Sequence, residues 1–77
     1  MKKTAPIIGL RFGRNDSPIR YTITDIKGDT LECQFSSEEH NGVVGFCKMS
    51  LDYFNKGFVN SPRFVNDGVV LTDCTNN

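Results

Sequence analysis

Along most of the chain apolar residues recur with a period of two, the spacing that places alternate side chains on one face of a β-strand. In residues 7–13 (Ile-Ile-Gly-Leu-Arg-Phe-Gly), Ile8, Leu10 and Phe12 share a face. Arg14-Asn15-Asp16-Ser17-Pro18 reads as a turn, because Asn, Asp and Ser side chains bond their own backbone and Pro presets φ. Residues 19–26 alternate again, with Ile19, Tyr21 and Ile23 inward and Arg20, Thr22 and Thr24 outward. Ile26 falls out of phase with them, and a β-bulge at Asp25 restores it to the inner face. Lys27-Gly28-Asp29 predicts a tight hairpin turn, and residues 30–36 then turn Leu31, Cys33 and Phe35 inward.

The second half is less regular. Ser37-Glu38-Glu39-His40-Asn41-Gly42 has no period and predicts an exposed loop. Residues 43–50 predict a strand with Val43, Cys47 and Met49 on one face, Val44, Phe46 and Lys48 on the other, and a bend at Gly45. Ser50 has the chemistry of a helix N-cap, and a short helical turn over residues 51–56 is expected to stop at Gly57. Phe54 and Phe58, four apart, share the buried side of that turn. After Pro62, Phe64-Val65, the Asn66-Asp67-Gly68 turn and Val69–Thr72 propose a final hairpin. The sum is a mainly all-β fold: a small antiparallel barrel of five to six strands or a strongly bent sheet, with one short helical turn near 51–56. No repeat or linker divides the chain, so residues 1–77 form a single domain with an ordered core over about 7–72 and frayed ends.

Length and composition narrow the function classes. A chain of 77 residues buries roughly 60% of its surface on folding and leaves no room for a large cleft around an organic cofactor. Nine Lys plus Arg balance nine Asp plus Glu, which argues against a strongly basic nucleic-acid binder. The charges are nonetheless segregated. Residues 1–20 carry five cations against Asp16, a sum of +4, whereas residues 25–39 carry five carboxylates against Lys27, a sum of −4. Neighbouring strands can neutralise one another with that pattern, or it can mark a dipolar surface. Cys33, Cys47 and Cys74 are odd in number and lack C-x-x-C spacing, which disfavours both a disulfide framework and a zinc site. Reduced thiols fit a cytoplasmic protein. Lys2-Lys3 precedes too short an apolar stretch for a signal peptide, and no run is long enough to span a membrane.

The run Tyr21-x-Ile23-x-x-Ile26-x-Gly28-Asp29-x-Leu31-x-Cys33-x-Phe35, followed by a polar loop, a strand and Ser50-x-x-x-Phe54-x-x-x-Phe58, resembles small SH3-like barrels. It is similar to short proteins of bacterial prophages and other mobile elements over residues 19–59. The resemblance implies a barrel that binds protein or nucleic acid through its loops. The chain has no Trp and no acidic-aromatic cluster, so the resemblance does not extend to recognition of Pro-rich ligands.

Catalytic chemistry is sparse. Glu38-Glu39-His40 could in principle hold a divalent ion or exchange a proton, but three adjacent residues converge poorly on one ion, and a solvated loop tip is the simpler reading. Cys33 and Cys47 face inward on neighbouring strands, either as core thiols or as a redox pair, and core packing is the expectation. Cys74 is expected to be the reachable thiol. No catalytic, metal or cofactor residue is assigned. The expectation is a non-enzymatic binding module, encoded on a mobile element and acting on a protein partner as inhibitor or adaptor. A second reading is a nucleic-acid binder that stacks bases on aromatics beside cations. Either would use Arg11, Arg14, Arg20, Lys48, Tyr53, Lys56 and Arg63. The apolar residues after Pro62 further predict a homodimer through residues 62–72.

Overall fold

The structure, a computed structural model, describes residues 4–39 and 42–70. Five strands follow in chain order: β1 (Leu10–Arg14), β2 (Ile19–Lys27), β3 (Thr30–Ser37), β4 (Gly45–Ser50) and β5 (Phe64–Val69). They form one antiparallel sheet in the order β4-β3-β2-β1-β5. The sheet is bent but stays open, so of the two expected architectures the closed barrel is the one set aside. Between β4 and β5 the chain crosses one face of the sheet as a short helix, α1 (Leu51–Phe54), which runs directly into a π-helical turn at Asn55–Val59.

The alternating pattern sets which face is buried. Phe12 pairs with Tyr21, Tyr21 with Phe35, Ile23 with Cys33, and Leu31 with Met49. Phe54 and Phe58 close over this face from the helical segment. Phe12 lies at the centre with no exposed surface. Its ring meets Phe54 and Phe58 edge-on at centroid distances of 4.9 and 5.1 Å and stacks on Tyr21 at 5.5 Å. The expected bulge in β2 is present: the register shifts between Ile23 and Asp25. Asp25 Oδ1 accepts from the Ile26 N–H at 2.8 Å, and the Thr24 hydroxyl donates to the Glu32 carbonyl at 3.1 Å. These bonds use polar groups that the interrupted ladder leaves over.

Several sequence expectations are corrected. β1 begins at Leu10, because Gly9 takes a positive φ of 96° and turns the chain before it. β4 begins at Gly45, and Val43 is exposed. Asn66-Asp67-Gly68 is not a hairpin turn. It lies inside the single strand β5 as an irregularity opposite β1, where Leu10 faces Val69 but Phe12 faces Asn66. Gly68, at φ 79°, donates its N–H to Asn66 Oδ1 at 2.8 Å, so the extra residue is absorbed locally. Gly57 does not end the helix; it sits within the π-turn, which the Asn60 N–H closes on the Asn55 carbonyl at 2.8 Å. Residues 71 and 72, expected in the last strand, lie outside the described residues, as do His40 and Cys74.

Candidate binding site

Of the seven expected surface residues, strand phase divides Arg11, Arg14, Arg20 and Lys48 between the two faces of the sheet, while Tyr53 and Lys56 lie in the helical segment and Arg63 just before β5. Arg11 and Arg20 lie on the face away from the helix, where Arg11 pairs with Thr22 and Arg20 with Gly13. Arg20 is only 8% exposed. Gly13 explains that burial: a Cβ there would stand 2.8 Å from Arg20 Cδ, so the missing side chain is the slot through which Arg20 runs. One Nη of Arg20 donates to the carbonyls of Arg14, Ser17 and Ile19 at 3.2, 2.9 and 3.0 Å, fastening the β1–β2 turn. Glu38 and Asp67 approach its Nε at 3.8 and 3.6 Å and also reach Arg11, at 3.9 and 3.2 Å. This cluster ties the end of β3 to β5. Two guanidinium groups and two carboxylates neutralise each other there, so Arg11 and Arg20 act as structural residues.

Lys48 projects from the same face on β4, opposite Glu32, whose carboxylate pairs with Lys27 at 3.4 Å. Beside it Phe46 is 74% exposed, and Val43 and Val44 are exposed just before it. The backbone at this edge is also oriented outward. Gly28 alone takes a positive φ in the two-residue β2–β3 turn, the pattern of a type II′ hairpin, which makes Lys27 and Thr30 a hydrogen-bonded pair. The N–H and C=O of Leu31 therefore point to β4, and the Leu51 N–H continues that ladder to the Asp29 carbonyl at 2.7 Å. By the same alternation Phe46 and Lys48 turn their N–H and C=O away from β3, to the outer edge. Cys33 and Cys47 then face each other as a hydrogen-bonded pair, the arrangement with the wider side-chain spacing. Both are free thiols, and burial raises both above the ordinary thiol range, Cys33 to about 12. That favours core packing over the redox reading.

The remaining residues gather where the β1–β2 turn meets the helical segment. Arg14, Ser17, Ile19 and Tyr21 from the sheet, with Tyr53 and Phe58 from the helix, line a half-open pocket of about 110 Å³. Tyr21 and Tyr53 both meet Phe58 edge-on, at centroid distances of 5.4 and 5.7 Å. Gly57 shapes the rim, since a Cβ there would stand 3.1 Å from the Tyr53 ring, and its carbonyl accepts from Arg14 at 3.5 Å. Ser17 Oγ accepts from the Ile19 N–H at 3.2 Å, which leaves its own proton to point elsewhere. Burial raises the Tyr21 phenol above its ordinary value, assisted by Cys47, Tyr53 and Cys33 and opposed by Arg14. Asp16 approaches Arg14 at 3.5 Å and Arg63 at 3.6 Å, and Lys56 pairs with Asp52 at 3.6 Å.

The structure thus unites Arg14 and Tyr53 in one pocket, with Arg63 nearby through Asp16, and separates them from Arg11, Arg20 and Lys48. Sequence reasoning missed Ser17, Ile19 and Tyr21 as pocket residues and Phe46 as an exposed edge residue. Phe46 carried a signal, because strand phase placed it with Lys48. Among the described residues no group of three His, Cys, Asp or Glu side chains is placed to hold a metal ion, and no helix is long and apolar enough to cross a membrane. Comparison with protein-family models, with curated proteins and with solved structures yields no match.

Proposed function

We propose that the chain is a non-enzymatic binding module that acts by protein–protein contact, pairing an extended segment of its partner along β4. The observation that carries this reading is Phe46, exposed on an edge strand whose outer N–H and C=O groups are turned away from β3. Strand addition draws affinity from main-chain hydrogen bonds and specificity from alternate side chains. Here those side chains are Phe46 and Lys48, which suit a partner strand with an apolar and an acidic residue; Val44 lies just before β4, its N–H held by the Phe35 carbonyl at 2.8 Å. Long apolar edges are normally blunted by charge, Pro or a covering segment, and an apolar edge is the surface an inhibitor or adaptor needs. The resemblance to small proteins of mobile elements supports a host or element-encoded protein as the partner. Affinity capture from a bacterial lysate with the wild-type chain and with Phe46→Asp tests this. A protein held by the wild type and lost by the variant, with unchanged melting, is the expected result. Equal capture by both removes β4 as the interface.

The nucleic-acid alternative rests on one observation, the exposed ring of Tyr53 beside Arg14 and Lys56. Asp16, Asp52, Glu38 and Asp67 each answer a nearby cation, which weakens the attraction for phosphates. Steeply salt-dependent oligonucleotide binding, lost in an Arg14 and Lys56→Ala variant that melts as the wild type does, would favour that reading over strand addition.

A further inference from the structure

We infer that the pocket between the β1–β2 turn and the helical segment binds a single carboxylate borne on an aromatic or compact apolar body. Its aromatic walls come from Tyr21, Tyr53 and Phe58, with Ile19 as the aliphatic side. Its donors are the Arg14 guanidinium and the hydroxyls of Ser17, Tyr21 and Tyr53, and among the described residues no carboxylate belongs to the lining. Aromatic rings in one lining with hydrogen-bond donors match a ligand with an apolar body and an oxyanion. The volume of about 110 Å³ suits one ring with part of it emerging, since a closed cavity of roughly 150 Å³ takes benzene.

Charge selects the anion. Among the described residues Arg14 is the only charged one in the lining, and Asp16 already stands 3.5 Å from its Nε. Arg14, Arg63 and Asp16 together leave one net positive charge at this end, while Lys56 is answered by Asp52. A monoanion balances that excess. A phosphate dianion would overshoot it and lie against Asp16. Tyr21 keeps its proton well into the alkaline range because burial disfavours the phenolate, so it remains a donor at neutral pH. The site lies on the helix-covered face, across the sheet from Phe46, and does not depend on strand addition at β4.

The carboxylate has two chemical sources, a free aromatic acid or the C-terminus of a peptide ending in an aromatic residue. Tyr21 and Tyr53 are the only tyrosines and the chain has no Trp, so intrinsic tyrosine emission reports this pocket without a label. Benzoate titrated into the full chain should change that emission saturably, with a dissociation constant on the order of millimolar. Benzamide and inorganic phosphate should leave it unchanged. Arg14→Gln should weaken benzoate about tenfold, the loss expected for one charge-assisted hydrogen bond. Tyr53→Phe, at an exposed position, should weaken it by a smaller factor with melting unaltered. A short peptide ending in a free Phe carboxylate is compared with its C-terminal amide. Tighter binding of the peptide acid than of benzoate identifies a chain terminus as the source, and the reverse order identifies a free acid. The inference is overturned if neither acid gives a saturable change, if benzamide or phosphate binds as well as benzoate, or if folded Arg14→Gln binds benzoate as the wild type does.

Discussion

Cys33 shows what burial does to one side chain. It is 1% exposed, between Ile23 on β2 and Cys47 on β4, and its thiol is pushed up to about 12 from an ordinary 9.0. Below pH 9 the folded and unfolded chains both hold this proton, and stability owes nothing to pH through this group. Between about 9 and 12 the unfolded thiol ionises and the folded one does not, so stability falls as pH rises. The urea midpoint should hold steady to near pH 9 and decline above it, and Cys33→Val should make that decline shallower. Cys33→Ser should lose roughly 1–3 kcal/mol in the same measurement at neutral pH, because a hydroxyl enters an apolar site. A thiol reagent that labels Cys33 quickly in the native state would contradict this placement. The inward phase of Leu31, Cys33 and Phe35 was legible from period alone. The burial of Arg20 was not, since alternation puts it outward. Only the register that sets it against Gly13 reveals the slot that swallows it.

At the scale of elements, the helical segment depends on its first cap. Ser50 Oγ accepts from the Tyr53 N–H at 3.0 Å, and Asp52 lies in the first turn. Ser50→Ala should cost about 1 kcal/mol of folding stability by chemical denaturation, the ordinary worth of such a cap. No loss would mean that the packing of Phe54 and Phe58 alone holds the segment. The start of this element could be read from Ser50, but its end could not. Gly57 has the composition of a stop, yet the chain continues because a glycine lets the Tyr53 ring lie close while Phe58 reaches the core. Asn66-Asp67-Gly68 poses the same ambiguity. One composition serves a hairpin turn or an extra residue in a strand, and pairing with β1 decides between them. For this reason Tyr21, Tyr53 and Arg14 could be named or weighed separately, but their pocket required the packing of two elements distant in sequence.

The whole molecule is governed by the open sheet. Among the described residues the opposed charges of residues 1–20 and 25–39 meet only where Glu38 reaches Arg11 and Arg20, while Lys27 pairs with Glu32 in its own segment and Asp16 is shared between Arg14 and Arg63. The chain is therefore not a simple dipole. Because the sheet does not close, β4 and β5 are both edges among the described residues. Around β5 the apolar surface is shared by two segments: Ile7 and Ile8 before β1, and Val69 and Val70 at the end of β5, joined by the bond from the Val70 N–H to the Gly9 carbonyl at 2.9 Å. A domain this small gains stability by covering such surface with a copy of itself, and we propose a homodimer through residues 62–72 on these grounds. The two edges make separable predictions. Light scattering at micromolar concentration should give a dimer mass for the wild type and for Phe46→Asp, and a monomer mass for Val69→Lys. The Val69→Lys monomer should melt lower, with a midpoint that no longer rises with protein concentration, because mass action links assembly to stability. A monomeric wild type whose melting is independent of concentration would show that the β5 edge needs no second copy.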